Sequence, residues 1–188
     1  QIIDIWNNEG LGRICPHFHV PLQSGSDKIL KEMRRRYTSS EYLEVVSNIK
    51  NLIPESSITS DVIVGFPDES DSDFLETINI IEKSKLSDVH VFPYSKRPGT
   101  TAFYIKNQVH SSAIKERTKE LLNIVDRLSG IAKQSLIGKK RSILWEGQSK
   151  TFGLTEDYFK VIRKTSKIPS NEISNEKIKG LENNKVIV

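Results

Sequence analysis

Apolar positions along the chain fall into three successive strand-then-helix units. Phe18 to Leu22 reads as a strand, followed by the turn "QSGS" (23–26) and a helix from Asp27. A second helix opens on the capping box Thr38 to Glu41, and Tyr42, Val45, Val46, Ile49, Leu52 and Ile53 follow at helical spacing. "ITSDVIVGFP" (58–67) is a β-branched strand that stops at Gly65–Phe66–Pro67. The acidic helix start "DESDSDF" comes next, with Phe74, Ile78 and Ile81 as its buried stripe. "DVHVFPYS" (88–95) is a third strand, closed by the turn "KRPGT". Repeated β–α units predict parallel strands with helices outside. A long helix over 112–136 follows, with Ile114, Leu121, Leu122, Val125, Leu128 and Ile131 as its inner face and Gly138 as its stop. The texture then changes: "RSILWEG", "TFGLTEDYFKVIRK" and "NNKVIV" predict a small antiparallel β unit, a barrel in form. The expected division is 1–136 and 137–188.

Side chains alternate across a strand, so parity sorts them. Phe18, Val20 and Leu22 share one face, and Cys15, His17, His19 and Gln23 the other. Val62, Val64 and Phe66 oppose Thr59, Asp61 and Ile63, while Val89 and Val91 oppose Asp88, His90 and Tyr94. An ordinary parallel strand is apolar on both faces. Here one face of each strand is polar, so the sheet is expected to curl around a polar lumen. The turns after the strands would then form a ligand-binding rim.

Composition adds three constraints. No apolar run approaches the roughly 20 residues of a membrane span, and "QIIDIWNNEG" lacks both the basic start and the apolar core of a signal peptide. Cys15 is the only cysteine, which excludes an internal disulfide and fits a cytoplasmic setting. Residues 1–132 hold 16 basic and 18 acidic side chains, whereas 133–188 hold 12 basic and 6 acidic, so the basic character lies at the C-terminal end. An anionic partner there, nucleic acid first, is the expectation, with a solvated lysine surface as the alternative. The chain opens on Gln1 inside a helical pattern (Ile2, Ile3, Ile5, Trp6), as a piece of a longer protein would.

"CPHFHVPLQSGS" (15–26) carries the cysteine and two of the four histidines. Structural zinc favours four ligands at spacings such as C-x2-C, which this stretch does not offer, so no metal is assigned. A Cys–His catalytic pair is also disfavoured, because side chains two apart on a strand run parallel. Lumen-lining histidines are favoured, with Cys15 packing at the strand entry. Two satisfied core histidines without a role stay open.

Taken together, "PHFHVPLQSGSDKILKEMRRRYT", "SDVIVGFPDES" and "VHVFPYSKRPGT" resemble the radical S-adenosylmethionine methylthiotransferases. The "CPHFHVPLQSGS" form is most similar to the branch acting on N6-threonylcarbamoyladenosine at tRNA position 37. The C-terminal residues resemble that family's RNA-binding TRAM domain. The resemblance implies an α/β fold: the last three β–α units of a partial (β/α)6 barrel, followed by a small antiparallel TRAM-like β-barrel. It implies S-adenosylmethionine and two [4Fe–4S] clusters in the parent protein. The Cys-x3-Cys-x2-Cys triplet that holds the catalytic cluster is missing here. The 188 residues are therefore expected to be inactive alone, to bind no cofactor tightly, and to need the N-terminal half of the same protein.

Carried over by position, Gln23, Ser24 and Gly25 would approach the cofactor's ribose and amino-acid portion, with Gly25 letting the backbone come close. Val64, Gly65, Phe66 and Pro67 would pack on its adenine, and Arg35 could pair with a carboxylate. His19, Asp61, Tyr94 and Arg97 would meet the substrate, the anticodon stem-loop of tRNA. Lys139, Lys140, Arg141, Arg163 and Lys164 are the expected RNA-binding residues, with Trp145, Phe152, Tyr158 and Phe159 divided between stacking and core. Two departures stand out: Asp68 replaces the glycine of "GFPGE", bringing an extra carboxylate to the rim loop, and "GTTAFY" replaces "GTPA". Two other functions remain open. One is a (β/α) barrel enzyme of another class using His17, His19 and Asp61 as acid–base groups; the other is a non-catalytic RNA-binding module.

Overall fold

Three strands, β1 (His17–His19), β2 (Ser57–Val64) and β3 (Asp88–Pro93), lie side by side in that order in a computed structural model that describes residues 14–146, 152–163 and 171–188. Helices α1 (Asp27–Glu32), α2 (Ser39–Leu52) and α3 (Asp71–Ser84) alternate with them. β2 and β3 run parallel, with Asp61 opposite His90 and Val64 opposite Pro93. This is the α/β arrangement that the strand-helix periodicity predicts. β1 is shorter than expected, because Pro21 has no N–H to give to a ladder. The Leu22 N–H turns instead to the Ser60 hydroxyl at 2.9 Å. Pairing resumes at Gln23, whose N–H donates to the Asp61 carbonyl (2.8 Å) and whose carbonyl accepts from Ile63 (2.9 Å).

The parity reading holds. Leu22, Val62, Val64 and Val89 are buried towards the helices, while His19, His90 and Phe92 are exposed and Asp61 and Ile63 half-buried. Both N-terminal caps form as the chemistry predicts. Thr38 and Glu41 exchange backbone–side-chain bonds ahead of α2, and Ser70 and Asp73 do so at the start of α3. Helix α4 (Ser111–Gln134) buries Leu121 and Val125, an i, i+4 stripe. Leu122 and Ile131, expected on the inner face, are instead exposed, because they lie off that stripe. Among the described residues no helix is long and apolar enough to cross a membrane.

The described residues form two compact units. One comprises His19–Asn51 and Ile58–Leu128 and holds the candidate site. The other gathers residues 14–18, 52–57, 129–146, 152–163 and 171–188. Within it Ser57 Oγ donates to the Asp157 carbonyl, Arg141 bonds to Glu55, and the His17 and Tyr158 rings stack 4.2 Å apart. Its sheet has the order β7-β4-β5-β6-β9-β8, from β4 (Lys140–Glu146), β5 (Phe152–Thr155), β6 (Lys160–Ile162), β7 (Ile173–Lys177), β8 (Gly180–Glu182) and β9 (Lys185–Ile187). The expected antiparallel unit is corrected at one pair: β6 and β9 are parallel, because the two are not consecutive and it is the β8–β9 hairpin that docks its second strand beside β6. Its core is Leu136, Ile143, Trp145, Phe159, Val161, Ile178, Val186 and Val188.

Candidate functional site

The turn after β1 is fastened to α3 by its own small residues. Gly25 N–H donates to Thr77 Oγ1 (2.9 Å), Ser24 Oγ lies 3.4 Å from the same hydroxyl, and Ser26 Oγ donates to Asp73 Oδ1 (2.7 Å). Asp73 also receives Lys28 Nζ at 2.7 Å and Ser70 Oγ at 2.6 Å. Burial alone would push the Asp73 carboxyl up, but the bonds from Lys28, Ser70 and Ser26 prevail and hold it well below the usual carboxylate range. A Cβ on Gly25 would stand 2.5 Å from Thr77 Cα. The close approach that requires glycine here is to α3. Ser24 is buried and its hydroxyl is occupied inside the turn, where it also accepts from Ser26 N–H.

Gln23 is the member of the turn that faces the cavity at the strand ends. Its backbone sits at φ 66°, a left-handed conformation costly for a side chain of this kind, held by the two bonds to β2. Arg35 Nη2 donates to Gln23 Oε1 at 3.0 Å, so its partner here is an amide and not a carboxylate. The cavity, about 450 Å³, is lined among others by Gln23, Asp61, Phe92, Tyr94 and Arg97. Sequence reasoning thus brings Gln23, Asp61, Tyr94 and Arg97 to one space. The Tyr94 hydroxyl is buried without a hydrogen-bond partner among the described residues, an unmet polar group beside that space. Burial pushes the Tyr94 phenol up.

The loop after β2 is built around Gly65 and Glu69. Gly65 has φ 77°, and a Cβ there would meet the Ile114 side chain at 2.4 Å. Its N–H donates to Glu69 Oε1 (3.0 Å), which also accepts from Arg117 Nη1 (2.6 Å). Burial pushes the Glu69 carboxyl up, against the pull of those two donors. Val64 and Phe66 are buried, so Val64 presents backbone only; its carbonyl accepts the Tyr94 N–H at 2.8 Å, and Phe66 meets the Tyr94 ring edge-on. Asp68 occupies φ 66°, the conformation in which glycine is at ease, and its carbonyl accepts from Lys28. Residue 68 therefore takes a glycine-type backbone although it is aspartate.

On the exposed face of the sheet Asp61 stands between two histidines. His19 Nε2 lies 3.1 Å from Asp61 Oδ2, and His90 Nδ1 lies 3.1 Å from Asp61 Oδ1. Cys15 is exposed and His17 stacks on Tyr158, so of the three residues in the opening motif His19 alone joins this group. The sequence does not mark His90, Thr77, Glu69, Asp73 and Arg117 as site residues. Strand parity had already put His90 on the polar face; Arg117 lies on a helix far away in sequence and left no local signal.

The basic residues divide by burial. Arg141 is buried and bonded to Asp157 Oδ2 (2.8 Å) and to Glu55, so its charge is matched inside the unit. Arg163 lies 3.3 Å from Glu176 and over the Trp145 ring. Lys139 pairs with Glu55 and Lys140 is exposed, while Lys164 lies outside the described residues. Trp145 and Phe159 are core; Phe152 and Tyr158 are half exposed.

Residues 2–81 match the family model described as the radical SAM superfamily. Over 131 residues the chain is 44% identical to a tRNA-2-methylthio-N(6)-dimethylallyladenosine synthase of Corynebacterium diphtheriae, covering 70% of this chain and 25% of that protein. It is 40% identical over 146 residues to a synthase of the same name from a Thermoanaerobacter species, covering 78% of this chain and 31% of that protein. The chain thus spans about a quarter to a third of the relatives it matches. Among solved structures, coproporphyrinogen III oxidase from Escherichia coli, a radical SAM enzyme, superposes with a TM-score of 0.56 at 14% identity, over 67% of this chain and 30% of that one. The shared feature is the partial-barrel fold.

Proposed function

We propose that this chain is part of a tRNA-modifying radical S-adenosylmethionine methylthiotransferase that acts on an N6-substituted adenosine. The observation that carries the reading is the convergence of Gln23, Asp61, Tyr94 and Arg97 on one cavity at the strand ends of a radical SAM-like sheet. A [4Fe–4S] cluster does not fit these residues alone, since Cys15 is the only thiol. In the intact protein the cluster and S-adenosylmethionine would supply the radical that functionalises an adenine C–H. One flank of S-adenosylmethionine fits what is present. Gln23, held by Arg35, offers an amide at the turn, Val64 and Phe66 back the Tyr94 wall, and Tyr94 brings an unmet hydroxyl. Asp61 and Arg97 are the polar groups the substrate would meet.

The relatives are named for the dimethylallyl-substituted adenosine. The "CPHFHVPLQSGS" form supports the threonylcarbamoyl-substituted adenosine at tRNA position 37 as the substrate of this protein. The reading implies a cytoplasmic protein whose C-terminal β unit, TRAM-like and lysine-rich, contacts the anticodon stem-loop. Nucleoside mass spectrometry of tRNA from a strain lacking the whole gene tests both levels. Loss of the 2-methylthio form of N6-threonylcarbamoyladenosine is expected. Loss of the dimethylallyl counterpart instead would correct the branch, and no change in either would overturn the function.

A further inference from the structure

We propose that His19, Asp61 and His90 form a binding site for a divalent cation of the zinc type. The three residues come from three neighbouring strands, and backbone pairing brings them together. Asp61 and His90 are register partners on β2 and β3. His19 is brought alongside by the Val20 N–H bond to the Thr59 carbonyl at 2.9 Å. One ligand atom from each residue lies within 4.8 Å of the other two. Each carboxylate oxygen of Asp61 is 3.1 Å from an imidazole nitrogen. Zinc holds nitrogen and oxygen ligands at about 2.0–2.2 Å, so two ligands at a tetrahedral angle stand roughly 3.3–3.5 Å apart.

A second feature would steady His19 as a ligand. The other nitrogen of His19, Nδ1, is 3.0 Å from Thr59 Oγ1, on a buried residue. In the ion-free chain Nε2–H donates to Asp61 and Nδ1 accepts from the hydroxyl; a cation in place of the Nε2 proton would leave Nδ1–H donating to Thr59. This is the outer hydrogen bond by which proteins orient a metal-bound imidazole. The donor set also selects the ion. Two imidazoles and one carboxylate suit zinc, cobalt or iron(II), whereas magnesium and calcium prefer oxygen donors. His19 and His90 are 39% and 52% exposed, so an ion can enter and keep an open position for water or a substrate atom. Asp61 also lines the 450 Å³ cavity, which puts that position next to the space described above. The proposal does not depend on the methylthiotransferase reading.

Titration calorimetry with zinc, and visible absorption with cobalt as a spectroscopic substitute, test it on the chain as it stands. One zinc per chain with micromolar or tighter affinity is expected, together with cobalt ligand-field bands. H19A, H90A and D61N should each weaken binding at least about 10-fold, and T59V by about 10-fold through loss of the orienting bond. H17A, H110A and C15S should leave affinity unchanged. Because H90A removes an exposed side chain, it distinguishes loss of a ligand from loss of the fold, which circular dichroism checks for every variant. Absence of stoichiometric binding by the unaltered chain would overturn the site. So would binding that persists undiminished in H19A and H90A, or that is lost in H17A or C15S.

Discussion

Arg117 Nη1 donates to Glu69 Oε1 across 2.6 Å, tying helix α4 to the loop after β2 through a carboxylate that is almost fully buried. The same oxygen accepts the Gly65 N–H, and the other arm of Arg117 bonds to Asp71 at 2.7 Å. The pair therefore fixes the exit of the central strand. Arg117→Ala strands a buried carboxylate and should cost about 3–5 kcal/mol in urea unfolding. Adding E69Q should recover part of that loss, because a neutral amide is easier to bury. A cost below about 1 kcal/mol, the worth of an exposed pair, would show that water reaches Glu69.

Two glycines should respond differently to the same substitution. A methyl at Gly25 meets backbone atoms of α3, whereas one at Gly65 meets the side chain of Ile114. G25A should destabilise by about 1–3 kcal/mol or more, and T77A should not rescue it, since the clash is with Cα and not the side chain. G65A should also destabilise, through both the steric clash and φ 77°, and adding I114A should relieve the clash alone. Denaturant midpoints of the singles and doubles decide the matter. Full rescue of G25A by T77A would contradict the geometry.

Asp73 gives the fold a particular acid response. Its carboxyl is held below the ordinary 3.8 despite burial, chiefly by Lys28 and Ser70. A depressed folded value means that its stabilisation is fully present above pH ~4 and is lost as pH falls through the folded value. Thermal unfolding followed from pH 7 downwards should therefore lose this contribution only below pH ~4. In D73N the part of the acid-side decline due to this residue should vanish, leaving a less stable protein with a flatter profile below that pH. An unchanged slope in D73N would place the acid sensitivity elsewhere.

The basic C-terminal unit separates charge that holds the fold from charge available to a partner. R141A breaks a buried pair with Asp157 and should cost about 3–5 kcal/mol. K140E and K160E reverse exposed side chains, so unfolding should hardly move. Their affinity for a tRNA anticodon stem-loop should fall, and the salt dependence should flatten by about 0.7–0.9 in log–log slope for each phosphate no longer neutralised. Filter binding across salt concentrations measures both. An unaltered affinity and slope would make this lysine surface a solvated one.

Strand and helix identities are legible in the sequence because each carries its own period, and parity along β2 and β3 puts Asp61 and His90 on the polar face. Contacts set by pairing are harder to read. Nothing local in "DVHVFPYS" says that His90 will lie opposite Asp61, since register emerges only when two strands meet. The shortening of β1 is written in Pro21 but masked by the apolar run that continues through it. Helix α4 misleads in the other direction: its apolar positions outnumber those that its one packed stripe can cover, leaving Leu122 and Ile131 outside. Asp68 shows a departure in type without a departure in backbone, because a short acidic side chain tolerates the left-handed conformation.

The clasped turn at 23–26 limits how this protein can change. Ser24, Gly25 and Ser26 spend their hydrogen-bonding and steric freedom on α3, so substitution there alters the hinge between strand and helix before it alters any ligand preference. Gln23 alone in that turn keeps a side chain towards the cavity. Divergence in what the cavity accepts is therefore channelled to the opposite wall, where Tyr94, Arg97 and the residues up to Ala102 carry no such clasp to α3. A library that varies that wall and leaves the turn intact would explore new specificities without first dismantling the scaffold.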